Sequence, residues 1–385
     1  MSTPQLHRQL LDQLSQWIIP KDQRHLKNCA EIAAAILQSE SACLAHWLPY
    51  LTHRSCLARA QMQRLSYFIH NPAICQEIFY RPLVQHFLQN WKEQKLTLVM
   101  DTSMFWDTYC LIEVCLAWGG RSITLAQTVI EHGSATVGFN QYLPVLEAAK
   151  ALLPAGSHPT LLADRGFEHG DLMRWLTKQG WDWAIRVKSD LLVTLGNGRQ
   201  RSLHELFALP EEVNLYPGVK VLEDVECNLG TAHFSGAQEP WAVLTSTKLS
   251  LQTFRLYGER FGGVEPHYKD YKSGTFDILK SKIRDARALS NLLMMLEIAQ
   301  LLAIRIGLIV IETEKRSVID WHWDRGLSLL QLGIREVKRI CYNALMLPRL
   351  VPIPWSKIRP ACASRKKREK LDKQVEFSRV NMFSF

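Results

Sequence analysis

Hydrophobic positions change period three times along this chain. Leu6, Leu10, Leu14 and Trp17 recur at helical spacing until Pro20 interrupts them. Similar patterns run from about Lys27 to Trp47 and from Ala58 to Ile69, with Pro49, Pro72 and Pro82 as punctuation. Residues 1–92 therefore read as helical. From Leu96 the period becomes that of strands. LTLVMD, CLIEVCLAW and SITLAQTVI are short apolar runs separated by an FWDTY link and by Gly119–Gly120, the spacing of a three-strand meander. Asn140–Leu153 then predicts a helix, TLLAD a strand, Asp171–Gln179 a helix and Trp183–Val187 a strand. Ser189–Lys248 breaks this rhythm. Turn signals at Gly196-Asn197-Gly198, Pro217-Gly218 and Asn228-Leu229-Gly230 separate short β-prone runs, which predicts a mostly β insertion. Beyond Lys272 the pattern is helical to about Gly307, and a last helix is predicted from Leu327 to Tyr342 before Pro348, Pro352 and Pro354.

Three strands, helix, strand, helix, strand is the order of a ribonuclease H-like core: an α/β fold whose mixed sheet is flanked by helices. Two aspartates gain meaning from that order. Asp101 closes the first strand and Asp164 the fourth. Those strands lie side by side in the fold, so the carboxylates converge. Glu265 opens a polar helical stretch; Gly262–Gly263 reads as the break before it, and Pro266 suits the first turn of a helix starting there. Hard divalent cations take oxygen ligands, and a metal pair held by such carboxylates clamps both oxygens of an in-line phosphoryl displacement. Seven residues are almost two helical turns, about 10.5 Å, so Glu265, Tyr268 and Lys272 project the same way. Asp107, Glu113 and Asp270 are neighbouring acids with surface or structural roles, and Arg165, next to Asp164, is a candidate, not the expectation, for neutralising the acidic cluster when metal is absent.

At 385 residues the chain exceeds the roughly 250–300 at which single cores stop growing. Nine scattered cysteines without a CxxC pair read as small buried side chains in a reducing compartment, and MSTPQLHRQLLDQL lacks the apolar core of a secretory leader. LLMMLEIAQLLAIRIGLIVI is long enough to suggest a membrane span. Glu297 and Arg305 inside it would each cost about 2.5–3.5 kcal/mol at a bilayer centre, so a buried core helix is expected instead. The net charge of +9 is concentrated: Arg335–Arg379 holds 13 basic and 4 acidic residues, and the remainder balances at 33 of each. The run Arg365, Lys366, Lys367, Arg368 is expected to be a DNA-contacting arm whose binding would be salt-sensitive, with a solvated tail as the alternative. Arg54, Arg59, Arg64 and Arg81 make the helical region basic too. In the β insertion, Trp241 is expected to be buried, with stacking on a displaced base as the alternative.

The stretch YGERFGGVEPHYKDYK, taken with the contexts of Asp101 and Asp164, resembles the bacterial insertion-sequence transposases of the DDE type, in the branch marked by Tyr-x2-Arg-x3-Glu-x6-Lys. Tyr257 and Arg260 match the first half and Glu265 and Lys272 the second, with four residues between Arg260 and Glu265 where the family has three. The resemblance spans about Leu96–Gly333. It implies Asp101, Asp164 and Glu265 as catalytic metal ligands, with Glu259 the alternative acid, and two Mg²⁺ ions that Mn²⁺ could replace. It also implies DNA contacts by Tyr257, Arg260 and Lys272, cleavage at terminal inverted repeats, hairpin intermediates and joining to target DNA. A homodimer on paired double-stranded DNA ends, no membrane role and a bacterial cytoplasmic location follow from the same likeness. The expected organisation is a helical DNA-binding region (1–92), a first core part (93–188), the β-rich insertion (189–250), the rest of the core with its helices (251–345) and a basic tail (346–385). The competing readings are a catalytically silent DNA-binding descendant and a ribonuclease H-like nuclease without strand transfer.

Overall fold

The computed structural model describes residues 3–52, 55–356, 358–372 and 377–383. The N-terminal helices are α1 (Thr3–Leu14), α2 (Gln23–Ser39), α3 (Leu44–Trp47), α4 (Ala58–His70), α5 (Gln76–Phe79) and α6 (Arg81–Leu88). Asp22 starts α2 by accepting the Arg24 N–H, one of the orphan donors of a helix start. The meander follows as β1 (Lys95–Phe105), β2 (Tyr109–Trp118) and β3 (Arg121–Glu131), all antiparallel. Next come α7 (Phe139–Lys150), β4 (His158–Ala163), α8 (Gly170–Lys178) and β5 (Asp182–Arg186). β4 lies beside β1 and parallel to it, and β5 lies parallel beside β4. This is the ribonuclease H-like arrangement.

The β-rich stretch does not fold aside. It forms β6 (Leu192–Thr194), β7 (Gln200–Ser202), β8 (Glu212–Val221), β9 (Val225–Ala232) and β10 (Trp241–Thr245), and β10 pairs antiparallel with β5. The sheet therefore continues as β3-β2-β1-β4-β5-β10-β9-β8-β6-β7. A further strand, β11 (Arg379–Met382), runs parallel against the first half of β8.

The helix α9 (Leu251–Lys272) corrects one expectation. It is continuous, starting where the Ser250 side chain accepts the Gln252 N–H, with Gly262, Gly263 and Pro266 all inside it. The glycine pair is not a break. α9 crosses the sheet: Phe254 lies over Gly230 in β9, Tyr257 against Trp241 in β10, and Gly263 on Ala117 in β2, where a Cβ would stand 3.1 Å from that alanine's Cβ. Gly263 is small because the helix touches the strand there. Pro266 has no N–H for the Gly262 carbonyl, and Gly262 lies on the exposed face where water can serve that group.

α10 (Ala286–Glu312) is long and apolar enough to cross a membrane, but 89% of its most apolar window is buried inside the protein. It packs on α2, α4, β3 and α11 (Leu329–Tyr342), so the N-terminal helices share one continuous apolar core with the sheet. Arg305 is buried with its guanidinium on the Val351 carbonyl and the Glu312 carboxylate, while burial, and then the negative charge of Glu113, holds the Glu297 carboxyl far above the usual range. α10 and α11 cross at glycines: a Cβ on Gly333 would meet the Ala303 carbonyl oxygen, and one on Gly307 the Leu329 carbonyl oxygen.

The basic tail is also not a free arm. After α11 the chain returns across the N-terminal helices, with the Trp91 indole N–H donating to the Ile353 carbonyl and the Trp118 indole N–H to that of Ser356. It then forms α12 (Arg365–Asp372). Arg368, expected to contact DNA, is instead 7% exposed and spends its guanidinium on the Asp324 carboxylate and the Pro360 carbonyl. Lys366 is exposed, and the Lys367 side chain lies outside the described residues. Of the N-terminal arginines, Arg64 is held by Glu31 at 2.6 Å and Arg81 reaches the Ala151 carbonyl; Arg54 lies outside the described residues.

Candidate active site

The site begins where β4 stops. Its last pairing with β1 is Ala163 with Met100, so Asp101 is the first residue of β1 without a neighbour on that side. β1 itself continues to Phe105, with Asp101 opposite Glu113 on β2, so Asp101 sits at the lip of a crevice and not at the strand's end. Asp164 comes immediately after β4 and starts a short 3-10 turn, its Oδ1 accepting the Gly166 N–H at 2.8 Å. The carboxylates converge as the strand order implied.

Arg260 stands between them. Its Nη2 donates to Asp101 Oδ2 at 2.7 Å and lies 3.6 Å from Asp164 Oδ2. Those two distances put a ceiling of 6.3 Å on the separation of the carboxylate oxygens. Burial pushes the Asp101 carboxyl up to about 6; Arg260 opposes that rise, and the Asp164 charge adds to it. Arg165, the neighbouring candidate for neutralising the cluster, turns away and lies 3.8 Å from Glu239. The guanidinium that does neutralise the pair comes from α9, a contact no local sequence signal could reveal.

α9 places the remaining acids on different sides. Glu265 is exposed and makes no hydrogen bond or ion pair with another described residue. Tyr268, close enough for the Asp101 charge to raise its pKa along with burial, and Lys272, whose Nζ lies 5.9 Å from the Phe105 ring, mark the flank of α9 facing the end where β1 leaves the sheet. At about 100° per residue, Glu265 is roughly 60° from Tyr268 and Glu259 roughly 180°. Glu259 accepts instead from Thr97, near the start of β1. Glu265 is thus on the Tyr268–Lys272 flank of the helix, about 140° around its axis from Arg260.

Tyr257 is fully buried, with its ring against Trp241 and Phe261 and its hydroxyl without a partner among the described residues. It is part of the packing beneath the crevice, which corrects its expected place on DNA. Trp241 is half-buried and packs on Phe234 as well, with the Arg186 guanidinium 5.9 Å from its ring. Below α9 lies a buried cluster the sequence did not single out: Glu113, Cys115 and His267 bring their ligand atoms within 4.8 Å of one another. Both His267 ring nitrogens are engaged, Nε2 with Glu113 Oε1 at 3.0 Å and Nδ1 with the Gln300 amide at 3.0 Å. This network seats α9 on β2. Asp270 does the same on β3, 3.3 Å from Arg121.

The Asp101–Asp164 pair suits a hard divalent cation. It offers only oxygens, and a single cationic nitrogen already reaches both carboxylates.

Residues 114–302, just under half of the chain, match the family model described as the transposase DDE domain. That span contains Asp164 and Glu265 and begins within β2, shortly after Asp101. Among solved structures, the chain is similar to the piggyBac transposase synaptic complex with hairpin DNA, at 11% identity and a TM-score of 0.45, covering 97% of this chain and 87% of that one. It is also similar to the Argonaute of Marinitoga piezophila in complex with guide RNA and target DNA, at 10% identity and a TM-score of 0.20, covering 54% and 30% of the two chains. Both likenesses are distant. No curated protein matches the chain.

Proposed function

We propose that the protein, whose residues 114–302 match the family model described as the transposase DDE domain, cuts DNA at its element's terminal inverted repeats and joins the 3′ ends to target DNA. The observation that carries this reading is the convergence of Asp101 and Asp164 on one cation at the point where β4 ends. Asp101 and Asp164 would hold one divalent ion jointly, and Asp101 with Glu265 a second. Mg²⁺, or Mn²⁺ in its place, would there polarise the attacking water or 3′-hydroxyl and neutralise the leaving oxygen. The residues of the chain do the rest. Tyr257 and Trp241 wall the crevice from below, and Lys272, on the same flank of α9 as Glu265, is placed to hold a phosphate farther along the strand. We assign the hairpin route as the way in which the ends are freed. The test is a plasmid carrying the element's terminal repeats, incubated with the protein and Mg²⁺. Cleavage confined to those repeats, followed by joined products, supports the proposal; cutting without joining points to the nuclease reading, and binding without cutting to the silent descendant.

Arg260 supplies a sharper expectation. A charge-assisted hydrogen bond contributes about 1.5–3 kcal/mol, so Arg260→Gln should bind Mn²⁺ roughly ten-fold or more tightly without DNA, as read by electron paramagnetic resonance of the free ion. Unchanged affinity would show that the guanidinium does not compete with the metal.

Two ends must be held together, so a dimer on paired ends is expected from a monomer or weak dimer in solution. The apolar face of α11 is already spent on α10, Lys338 pairs with Glu40 and Arg335 donates to the Ile319 carbonyl, so the 89%-exposed Tyr342 is the side chain of this helix best placed for contacts between subunits. Light scattering with and without terminal-repeat DNA reads this directly; one protomer per pair of ends would sink it.

A further inference from the structure

The loop 313–328 presents tryptophan to solvent from a rigid mount. Asp320, 1% exposed, is the anchor: its Oδ1 accepts from the His322 backbone and ring N–H groups at 3.2 and 2.6 Å, and its Oδ2 from the Gly326 N–H at 3.0 Å and Arg316 at 3.3 Å. Gly326 lies so close that a Cβ there would meet the His322 ring at 2.2 Å. Around this anchor Trp321 stacks on His322 and is 83% exposed, and Trp323 is 50% exposed. Large apolar side chains held out by a tied-down loop mark an interaction surface.

The basic run is docked against the same loop. Arg368 holds Asp324 at 3.3 Å, which neutralises that carboxylate and sets α12 beside the tryptophans. Arg365 then lies 4.9 Å from the centre of the Trp323 ring, and Lys366 is exposed one residue on. Aromatic faces beside cations on a fixed scaffold are what an unpaired nucleic-acid strand needs, because its bases stack while its phosphates are neutralised. A duplex hides its base faces, and a protein partner finds little reason for the cations. The patch is remote from the carboxylates. It joins the β2–β3 turn through Pro360, which packs on Gly120, at the end of the sheet where β1 begins.

We propose that the Trp321–Trp323 loop and α12 together form a stacking platform for an unpaired DNA strand. This rests on the reading of the chain as a DNA-handling protein but not on its metal chemistry, so the assay is run in EDTA, where failure of the carboxylate site has no influence. The full chain is titrated onto a labelled oligothymidine of about 12 nucleotides and onto terminal-repeat duplex, with fluorescence anisotropy as the readout. Trp321→Ala should weaken oligonucleotide binding about 5–150-fold and leave duplex binding unchanged, and Lys366→Gln should lower the salt slope for the oligonucleotide by about 0.7. Both residues are exposed, so folding is spared. Unchanged oligonucleotide affinity in Trp321→Ala overturns the proposal. So does a fall in molar mass by light scattering without loss of oligonucleotide affinity, which would make the patch a protein interface.

Discussion

Asp101→Ala, Asp164→Ala and Glu265→Ala should each lower DNA cleavage by at least about 10³-fold while terminal-repeat binding stays within roughly two-fold of the parent. Metal-borne stabilisation of the transition state is worth several kcal/mol, and each carboxylate lost removes an oxygen that no neighbouring group can supply. Binding is spared because these acids would serve the ions and not the groove. The three variants differ in a second respect. Asp101→Ala strips the main partner from a guanidinium that is 8% exposed, so its thermal stability should fall, whereas Glu265→Ala on the exposed flank should leave it unchanged. Asp101→Asn, which keeps a hydrogen-bond acceptor for Arg260, separates the two effects: stability largely returns and cleavage does not. Glu259→Ala is the control within the same helix and should cut normally. Normal cutting by Glu265→Ala together with silence in Glu259→Ala would exchange their roles.

The crossing of α10 and α11 carries the other large effect. A Cβ on Gly333 would stand 1.8 Å from the Ala303 carbonyl oxygen and 2.5 Å from its carbonyl carbon, both backbone atoms that no rotamer change can move. Gly333→Ala must push the two helices apart through a core they share with α2, at a cost of more than about 3 kcal/mol. A fall in melting temperature of roughly 5–10 °C, or loss of soluble protein, is the expected result. Gly262→Ala gives the contrast. Nothing lies within 4 Å of its Cβ position, so this substitution should stabilise α9 by about 0.5–1 kcal/mol. If both glycines behaved alike, helix propensity and not close approach would be setting their cost.

These residues also show what a sequence discloses. The run of strands and helices through β5 was legible because burial imposes a period on apolar residues, and the convergence of Asp101 and Asp164 followed from two parallel neighbours. The start of α9 was not legible. Glycine and proline are ordinarily breakers, but here Gly263 answers a contact with Ala117, a residue remote in the chain. Arg260 was readable as a cation and not as the partner of a residue 159 positions away. The basic run was visible as charge, while the burial of Arg368 depends on Asp324 and Pro360 meeting it in space. The tryptophans of the 313–328 loop carry no periodic signal; only their exposure on a fixed loop distinguishes them from core residues.

The pairing of β11 with β8 bears on how the protein is made. Glu212 finds its strand partner only at Arg379, 167 residues later. At synthesis rates of about 5–20 residues per second, a ribosome takes roughly 8–33 s to cover that distance, far longer than a hairpin needs to close. During that interval β9 can already flank β8 on one side, and the other side of its first half remains an open row of backbone donors and acceptors. Two nascent chains on one messenger could pair there with each other. Slow translation before the last strand is therefore a hazard for this protein, and early chaperone cover of the β8 edge should raise its soluble yield more than any gain in the speed of core packing.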